Sequence, residues 1–274
     1  MLFPTIAMAD TVSINNEIKT DVILIDNDDP NYRLSIWIPK DYTSKKKYDI
    51  FMFLQGGGEN LNFAEVTATE HDGILISDIY EKINADFIVV GIQCGTDFDE
   101  ITGRMFYAMG YAADHYSTYA KSGKLEDLKA ARDHIIVGGI SNGGRVATYF
   151  ITYYNEYVSN AIIMSPTIWR RPPEGFNLNH FIVCIGDNDN KPCIPAAEES
   201  YKQLSPYANK SYYSVYHGRH QWKYWNCQLE MALNFVYDEG EFATTTKKIS
   251  NLINNLPGFL TIKRFLNYEN FKVY

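Results

Sequence analysis

Five residues constrain this chain more than any others: Gly139-Ile140-Ser141-Asn142-Gly143, a G-x-S-x-G pattern. The pattern carries chemistry only when a strand runs into it and a helix leaves it. Both are expected here. Ile135-Ile136-Val137 is a short apolar run of strand type, and Val146, Phe150 and Tyr153 or Tyr154 recur on one face of a helix expected over 141–157. The turn between them is so tight that only glycine fits at its flanks. It lifts the Ser141 hydroxyl clear of the backbone at the carboxyl end of a sheet, where a nucleophile is useful. The bland alternative is a glycine-rich turn with an idle serine, and the strand–turn–helix context weighs against it.

The remaining apolar runs alternate with helical stretches, the signature of a parallel sheet with crossover helices. Residues 32–38 alternate as a half-buried early strand, which Pro39 ends. Ile50-Phe51-Met52-Phe53-Leu54 is continuously apolar and reads as a central strand buried on both faces. Phe87–Val90, Ala161–Met164, Phe181–Ile185 and Tyr212–Tyr216 supply further strands, with helices expected over 73–85 and 221–237. A chain of 274 residues suits one large α/β domain and buries roughly 75% of its unfolded surface without a disulfide or metal. We place that domain at residues 21–243. Residues 1–20 read as a tail or leader remnant: 2–8 are apolar and Ala7-Met8-Ala9 resembles a signal-peptidase site, but no basic segment precedes it. Residues 244–274 carry Leu252, Leu256, Phe259, Phe265 and Phe271, too apolar for a disordered end, and are expected to pack on the domain or a partner.

Charge and motif content narrow the partners. A net charge of −8 argues against nucleic acid, which needs a basic footprint. No apolar run is long enough to span a bilayer. Neither C-x-x-C nor H-E-x-x-H occurs, so no metal and no cofactor is expected. Cys193 and Cys227 fall in loops beside the proposed acid and base, which leaves open a bridge between them against four free thiols. Aromatic residues make up 15% of the chain, a weak pointer to ligands with sugar or phenyl rings. Nothing in the sequence fixes the oligomeric state.

A serine that attacks a carbonyl needs donors for the negative charge that develops, a base, and an acid to orient the base. Gln55-Gly56-Gly57-Gly58 directly follows the central strand, where backbone N–H groups can wait for an oxyanion. The expected donors are the N–H of Gly57 and the N–H of Asn142; a plain turn with three glycines is the alternative. The acid must follow a late strand, and Gly186-Asp187-Asn188-Asp189 does. Asp189 lies deeper in the loop and is favoured, with Asp187 read as capping the turn. The base must come last; His217 and His220 compete, and His220, at the start of a helix, is favoured. The order Ser141, Asp189, His220 matches the Ser…Asp…His order of one known fold. His71, His115, His134 and His180 carry no motif.

These pieces together resemble carbohydrate esterase family one, the feruloyl and acetyl xylan esterases of the α/β-hydrolase superfamily. Residues 218–225, Gly-Arg-His-Gln-Trp-Lys-Tyr-Trp, look like its G-G-H-D-W-x-x-W ending. Residues 54–60 are similar to its L-H-G-x-G-G-x-E loop, and 139–144 to its G-x-S-M-G-G elbow. The resemblance spans about Val22 to Phe242. Gln55 stands where the family has His, Arg219 where it has Gly, and Asn142 where it has Met. The resemblance implies an α/β-hydrolase fold, with a mostly parallel central sheet and helices on both faces. It implies a secreted or periplasmic ester hydrolase acting on acylated plant polysaccharide, with Ser141 as nucleophile, His220 as base and Asp189 as acid. Trp169 and Gln55 are the expected substrate contacts. Trp222 and Trp225 are expected to pack behind the His220 loop, and Phe106, Tyr107 and Tyr111 to be either pocket wall or core.

Overall fold

The continuously apolar run at 50–54 becomes the middle of a sheet that has nine strands among the described residues. The structure, a computed structural model, describes residues 10–14, 18–24, 33–57, 83–92, 97–167 and 171–237. Its strands are β1 (Asp10–Ile14), β2 (Ile18–Leu24), β3 (Arg33–Ile38), β4 (Asp49–Leu54), β5 (Phe87–Ile92), β6 (Ile135–Ile140), β7 (Asn160–Met164), β8 (Leu178–Gly186) and β9 (Ala208–Tyr216). Their spatial order is β1-β2-β3-β5-β4-β6-β7-β8-β9. The pairs from β5 through β9 are parallel, whereas β1 to β2, β2 to β3 and β3 to β5 are antiparallel. The chain therefore leaves β4, pairs β5 on one side, and returns as β6 on the other. Such a reversal opens a crevice at the carboxyl ends of the two strands, where ligands of open α/β sheets bind.

Strand alternation divides the core in two. Ile50, Met52 and Leu54 face one layer, and Phe51 and Phe53 face the other. The first layer receives α1 (Phe98–His115), α2 (Leu125–Ala130), α3 (Asn142–Tyr153) and α4 (Cys193–Leu204) through residues such as Met105, Leu128, Phe150 and Ala197. The second receives α5 (Trp222–Tyr237), through Trp222, Trp225, Leu229 and Leu233. Each large side chain buried this way stabilises the fold by about 1.5–3 kcal/mol. Helices thus cover both faces of a mostly parallel sheet, as expected.

Several local outcomes differ from the sequence reading. Residues 10–14 and 18–24 pair as strands, so the sheet begins inside the stretch read as a tail. The helix after the elbow ends at Tyr153, where Tyr154 N–H closes on Phe150 O, and Asn155-Glu156 turn away. The helix at 98–115 has no counterpart in the sequence reading. It contains Phe106, which packs edge-on or tilted against Phe150, Tyr154 and Tyr157, so its environment is core. Tyr107 and Tyr111 are half-buried against the same layer. Cys184, Cys193 and Cys227 are free; Cys193 is buried and Cys227 exposed on α5, which leaves no bridge between them. Most of the helix expected over 73–85, Trp169, His71, Cys94 and the extension 244–274 lie outside the described residues. Among the described residues no helix is long and apolar enough to cross a membrane.

Candidate active site

The site is built from three loops at the carboxyl ends of β4, β6 and β8, closed by the segment after β9. β6 stops at Ile140, and Ser141 takes φ 52°, ψ −115° before α3 starts at Asn142. A positive φ is unusual for a residue with a Cβ and marks the strained turn that the pattern demands. Its flanks need glycine because backbone passes where a Cβ would sit. A Cβ on Gly139 would lie 2.4 Å from Gly143 O, and one on Gly143 would lie 2.1 Å from Leu54 O. The first contact lets the turn fold on itself. The second lets the first turn of α3 dock on the end of β4, which brings the serine loop beside the glycine loop. Ser141 N–H donates to Met164 O at 2.9 Å, tying the turn to β7.

That docking brings together the two expected oxyanion donors. A Cβ built on Gly57 would lie 3.2 Å from the Asn142 Cβ. The Asn142 side chain is held: its Oδ1 accepts from Arg145 Nε at 2.8 Å, and the Arg145 guanidinium lies 4.5 Å from the centroid of Phe98. Phe98 is the first residue of α1, whose end is capped by the Asp97 carboxylate through Asp99 N–H and Glu100 N–H at 2.9 and 3.1 Å. The asparagine that departs from the family pattern is thus part of a small polar–aromatic brace. Gln55, directly after β4, is fully buried, and neither its amide oxygen nor its amide nitrogen has a hydrogen-bond partner among the described residues.

Each of the two candidate aspartates pairs with one of the two candidate histidines. His217 Nδ1 lies 2.9 Å from Asp187 Oδ2, and His220 Nδ1 lies 2.6 Å from Asp189 Oδ1. Their surroundings separate them. The His217 side chain is 90% exposed, whereas that of His220 is 20% exposed and that of Asp189 not at all. Asp187 also accepts from Gly218 N–H at 3.1 Å and from Asn188 Nδ2 at 2.8 Å. Together with Asp187 N–H to Tyr216 O and Asn188 N–H to Gly218 O, it staples the acid loop to the base loop. Asp187 is a loop fastener, and Asp189 is the carboxylate that reaches inward.

Asp189 is surrounded by donors. Beyond His220, its Oδ2 accepts from Ser165 Oγ at 2.6 Å and its Oδ1 from Asn190 N–H at 2.7 Å. Burial would raise its pKa, but the hydrogen bonds from His220 and Ser165 outweigh burial and hold it below the ordinary carboxylate range. An ionised carboxylate only accepts, so His220 Nδ1 carries the hydrogen and Nε2 is left as the basic nitrogen. The Trp225 ring of α5 packs at right angles to the His220 ring, with centroids 4.7 Å apart and planes at 85°. Cys193, at the start of α4, places its sulfur 4.0 Å from His220 Nδ1, and burial pushes its thiol pKa up to about 12. Ligand atoms of Asp189, Cys193 and His220 lie within 4.8 Å of one another, but a cation held there would displace the His220–Asp189 hydrogen bond.

The sequence reading gives Ser165 and Cys193 no part in the site. Ser165 had a usable signal: it is a polar residue directly after a parallel strand, β7, beside the strand that delivers the acid. Cys193 had none beyond its nearness to Asp189 in the chain. Of the other histidines, His134 pairs with Asp49 at 2.9 Å and stacks on Tyr119, His180 bonds Asn160, and His115 bonds Tyr111 O at the end of α1. His134 precedes β6 and His180 lies near the start of β8, at the ends of those strands opposite the site loops.

This combination of sheet order, two-sided helix cover and serine elbow is the α/β-hydrolase fold. Solved structures agree. The feruloyl esterase module from Clostridium thermocellum, solved as a serine-to-alanine mutant complexed with sinapinate, superposes with a TM-score of 0.64 at 18% identity, covering 87% of this chain and 97% of that one. An S-formylglutathione hydrolase from Staphylococcus aureus gives 0.57 at 13% identity, covering 80% and 98%. A ferulic acid esterase from Anaeromyces mucronatus gives 0.53 at 15% identity, covering 85% and 90%. In sequence, the chain is 30% identical over 147 residues to endo-1,4-beta-xylanase Y of Acetivibrio thermocellus; the match takes in 50% of this chain and 13% of that much longer protein. No family model matches the chain.

Proposed function

We propose that the protein is a serine carboxylic ester hydrolase that releases hydroxycinnamoyl groups, ferulate foremost, from plant cell-wall polysaccharide. The observation that carries the catalytic half is the part-buried His220–Asp189 pair at 2.6 Å, at the same carboxyl end of the sheet as the strained Ser141 elbow. In this reading His220 Nε2 takes the Ser141 proton as Oγ attacks the ester carbonyl. The carbonyl oxygen becomes an oxyanion held by the N–H groups of Gly57 and Asn142, each worth about 10²–10³ in rate. His220 then gives that proton to the leaving sugar oxygen as the bond from the carbonyl carbon to it breaks, releasing the sugar hydroxyl and leaving an acyl-Ser141. Water, deprotonated by His220, hydrolyses it and releases the acid. Asp189 holds the imidazole tautomer and offsets its charge when protonated.

The substrate half is supported by likeness to proteins described as feruloyl esterases, one of them with sinapinate bound, and by the sequence match to a xylanase. We assign Gln55 to the substrate as well. A buried amide with no partner costs about 1–3 kcal/mol per unmet group, a cost tolerated where a substrate or an ordered water supplies the missing hydrogen bond. Trp169 is assigned to the acyl-binding wall. An enzyme on such a substrate works outside the cell, in the secreted or periplasmic setting that the family resemblance implies. The Staphylococcus aureus hydrolase favours a second reading, a small thioester or short-chain ester as substrate.

The test is a panel of methyl ferulate, methyl coumarate, methyl acetate, p-nitrophenyl acetate, acetylated xylan and S-formylglutathione, with Ser141→Ala as control. Expected is a higher kcat/KM on methyl ferulate or methyl coumarate than on a matched methyl acetate, and near-complete loss in Ser141→Ala. Equal or better kcat/KM on the methyl acetate removes the feruloyl reading, and preference for the thioester selects the second. A Ser141→Ala variant retaining more than a tenth of the wild-type rate overturns the mechanism.

A further inference from the structure

The buried polar groups behind the site form a chain that the proposed mechanism does not use. Ser165 follows β7 directly, is fully buried, and has φ 45°, one of two non-glycine residues at positive φ among those described, the other being Ser141. Its N–H donates to Cys184 O of β8 at 2.9 Å, which fixes its backbone against the strand that delivers Asp189. Its Oγ lies 2.6 Å from Asp189 Oδ2 and 2.9 Å from Trp225 Nε1.

Only one arrangement of protons satisfies these contacts. An indole N–H can only donate, so Trp225 gives its hydrogen to Ser165 Oγ. An ionised carboxylate can only accept, so Ser165 gives its own to Asp189. The hydroxyl is thereby fixed in direction between Trp225 and Asp189, with the Tyr216 hydroxyl also at its side. The sequence separations are 24 and 60 residues, so this alignment is made by tertiary packing of β7, the acid loop and α5. The same indole also packs at right angles to the His220 ring. Trp225 therefore touches the base directly and reaches the acid through one hydroxyl. The second tryptophan of the His-Gln-Trp-Lys-Tyr-Trp run thus has a polar duty beyond packing.

We propose that Ser165, held by Trp225, is a positioning residue that sets the orientation of Asp189 and, through it, of His220. The proposal rests on the catalytic reading of Ser141, Asp189 and His220 given above. A carboxylate rotates about two side-chain bonds. His220 holds one oxygen, and Ser165 pins the other, so the plane of the carboxylate is fixed and the imidazole sees one geometry. Short, charge-assisted hydrogen bonds in a buried setting act together rather than singly.

Three substitutions separate positioning from mere structure. Ser165→Ala removes the hydroxyl, and Ser165→Gly removes it while relieving the positive φ, so the glycine variant keeps a folded reference. Trp225→Phe keeps a ring and removes the donor. Expected are losses in kcat of about 10- to 100-fold for both Ser165 variants and a smaller loss for Trp225→Phe, with KM within about twofold. The decisive measurement is the cycle with Asp189→Asn. If Ser165 acts through the acid, Ser165→Gly on top of Asp189→Asn lowers kcat by less than about twofold further. The downfield proton resonance of His220 Nδ1–H, identified by its loss in His220→Ala, should move in both Ser165 variants and stay in place in Ser141→Ala. Full additivity with Asp189→Asn, or wild-type kcat in a folded Ser165→Gly while Asp189→Asn is crippled, overturns the proposal and leaves the triad standing. An Asp189→Asn variant with wild-type kcat overturns both.

Discussion

Gly57→Ala probes the proposed oxyanion donor at a position where the structure gives a distance. The added methyl would lie 3.2 Å from the Asn142 Cβ, whereas carbon atoms rest at about 3.5–4.0 Å. One partner must give by a few tenths of an ångström. Asn142 resists, because its side chain is bonded to Arg145 and its backbone opens α3, which is locked onto β4. Gly57 is exposed, and it is the one that moves. Its N–H then leaves the 2.7–3.1 Å range that an oxyanion donor needs. A displacement of about 1 Å costs roughly 10²-fold, and complete loss of a donor about 10²–10³-fold. We therefore expect kcat on p-nitrophenyl acetate to fall about 10- to 100-fold. KM should stay within about twofold, because the oxyanion exists only in the transition state. Stability should change by less than about 1 kcal/mol, a melting shift of no more than about 2–4 °C for a chain of this size. A Gly57→Ala enzyme with kcat within twofold of wild type would falsify the assignment of Gly57. A collapse in melting temperature would show instead that the loop is braced more firmly than its exposure indicates.

Three further outcomes are expected. Asp189→Asn and His220→Ala should each lower kcat by several orders of magnitude, whereas Asp187→Asn and His217→Ala should lower thermal stability modestly and leave kcat within a fewfold; steady-state kinetics on all four decides, and a reversed ranking moves the roles to the exposed pair. Gly143→Ala should fail to accumulate as folded protein or lose more than the 1–3 kcal/mol usual for overpacking, since its Cβ would lie 2.1 Å from Leu54 O and 2.3 Å from Gln55 O; a soluble variant with a wild-type melting curve would refute the docking of α3 on β4. The folded pKa of Asp189 is depressed, so its ionised form contributes stability that is present above about pH 4 and is lost as pH falls through the lowered value. Urea unfolding of wild type and Asp189→Asn should accordingly differ most near neutrality and converge towards pH 2–3, and a gap that widens on acidification would contradict the sign.

Features whose geometry is local were legible in the chain. The apolar run at 50–54 had to be a strand buried on both sides, and it lies at the centre of the sheet with every residue buried. The pattern at 139–143 had to be a strand–turn–helix, because glycines in that spacing serve to let backbone pass backbone within one turn, and the close approaches at Gly139 and Gly143 are that passage. The order of the late strands put an aspartate loop before a histidine loop for the same local reasons. Residues 10–14 and 18–24 were less legible, since strands at the edge of a sheet carry a weak pattern and join it only through pairing that ends on β3.

Tertiary packing shows what separates the favoured candidates from their rivals. Position in the loops favours Asp189 over Asp187 and His220 over His217, and in the structure both Asp–His pairs form. Burial tells them apart, and burial depends on how the acid loop, stapled to the base loop through Gly218, sits over the sheet. Tertiary structure also set Cys193 beside His220 rather than beside Cys227, and it joined Ser165 to Asp189 and Trp225 to Ser165 across 24 and 60 residues. No periodicity reports contacts of that kind, because a single buried hydrogen bond between distant loops leaves no repeating mark on the chain; only the packing of β7, β8 and α5 brings its ends together.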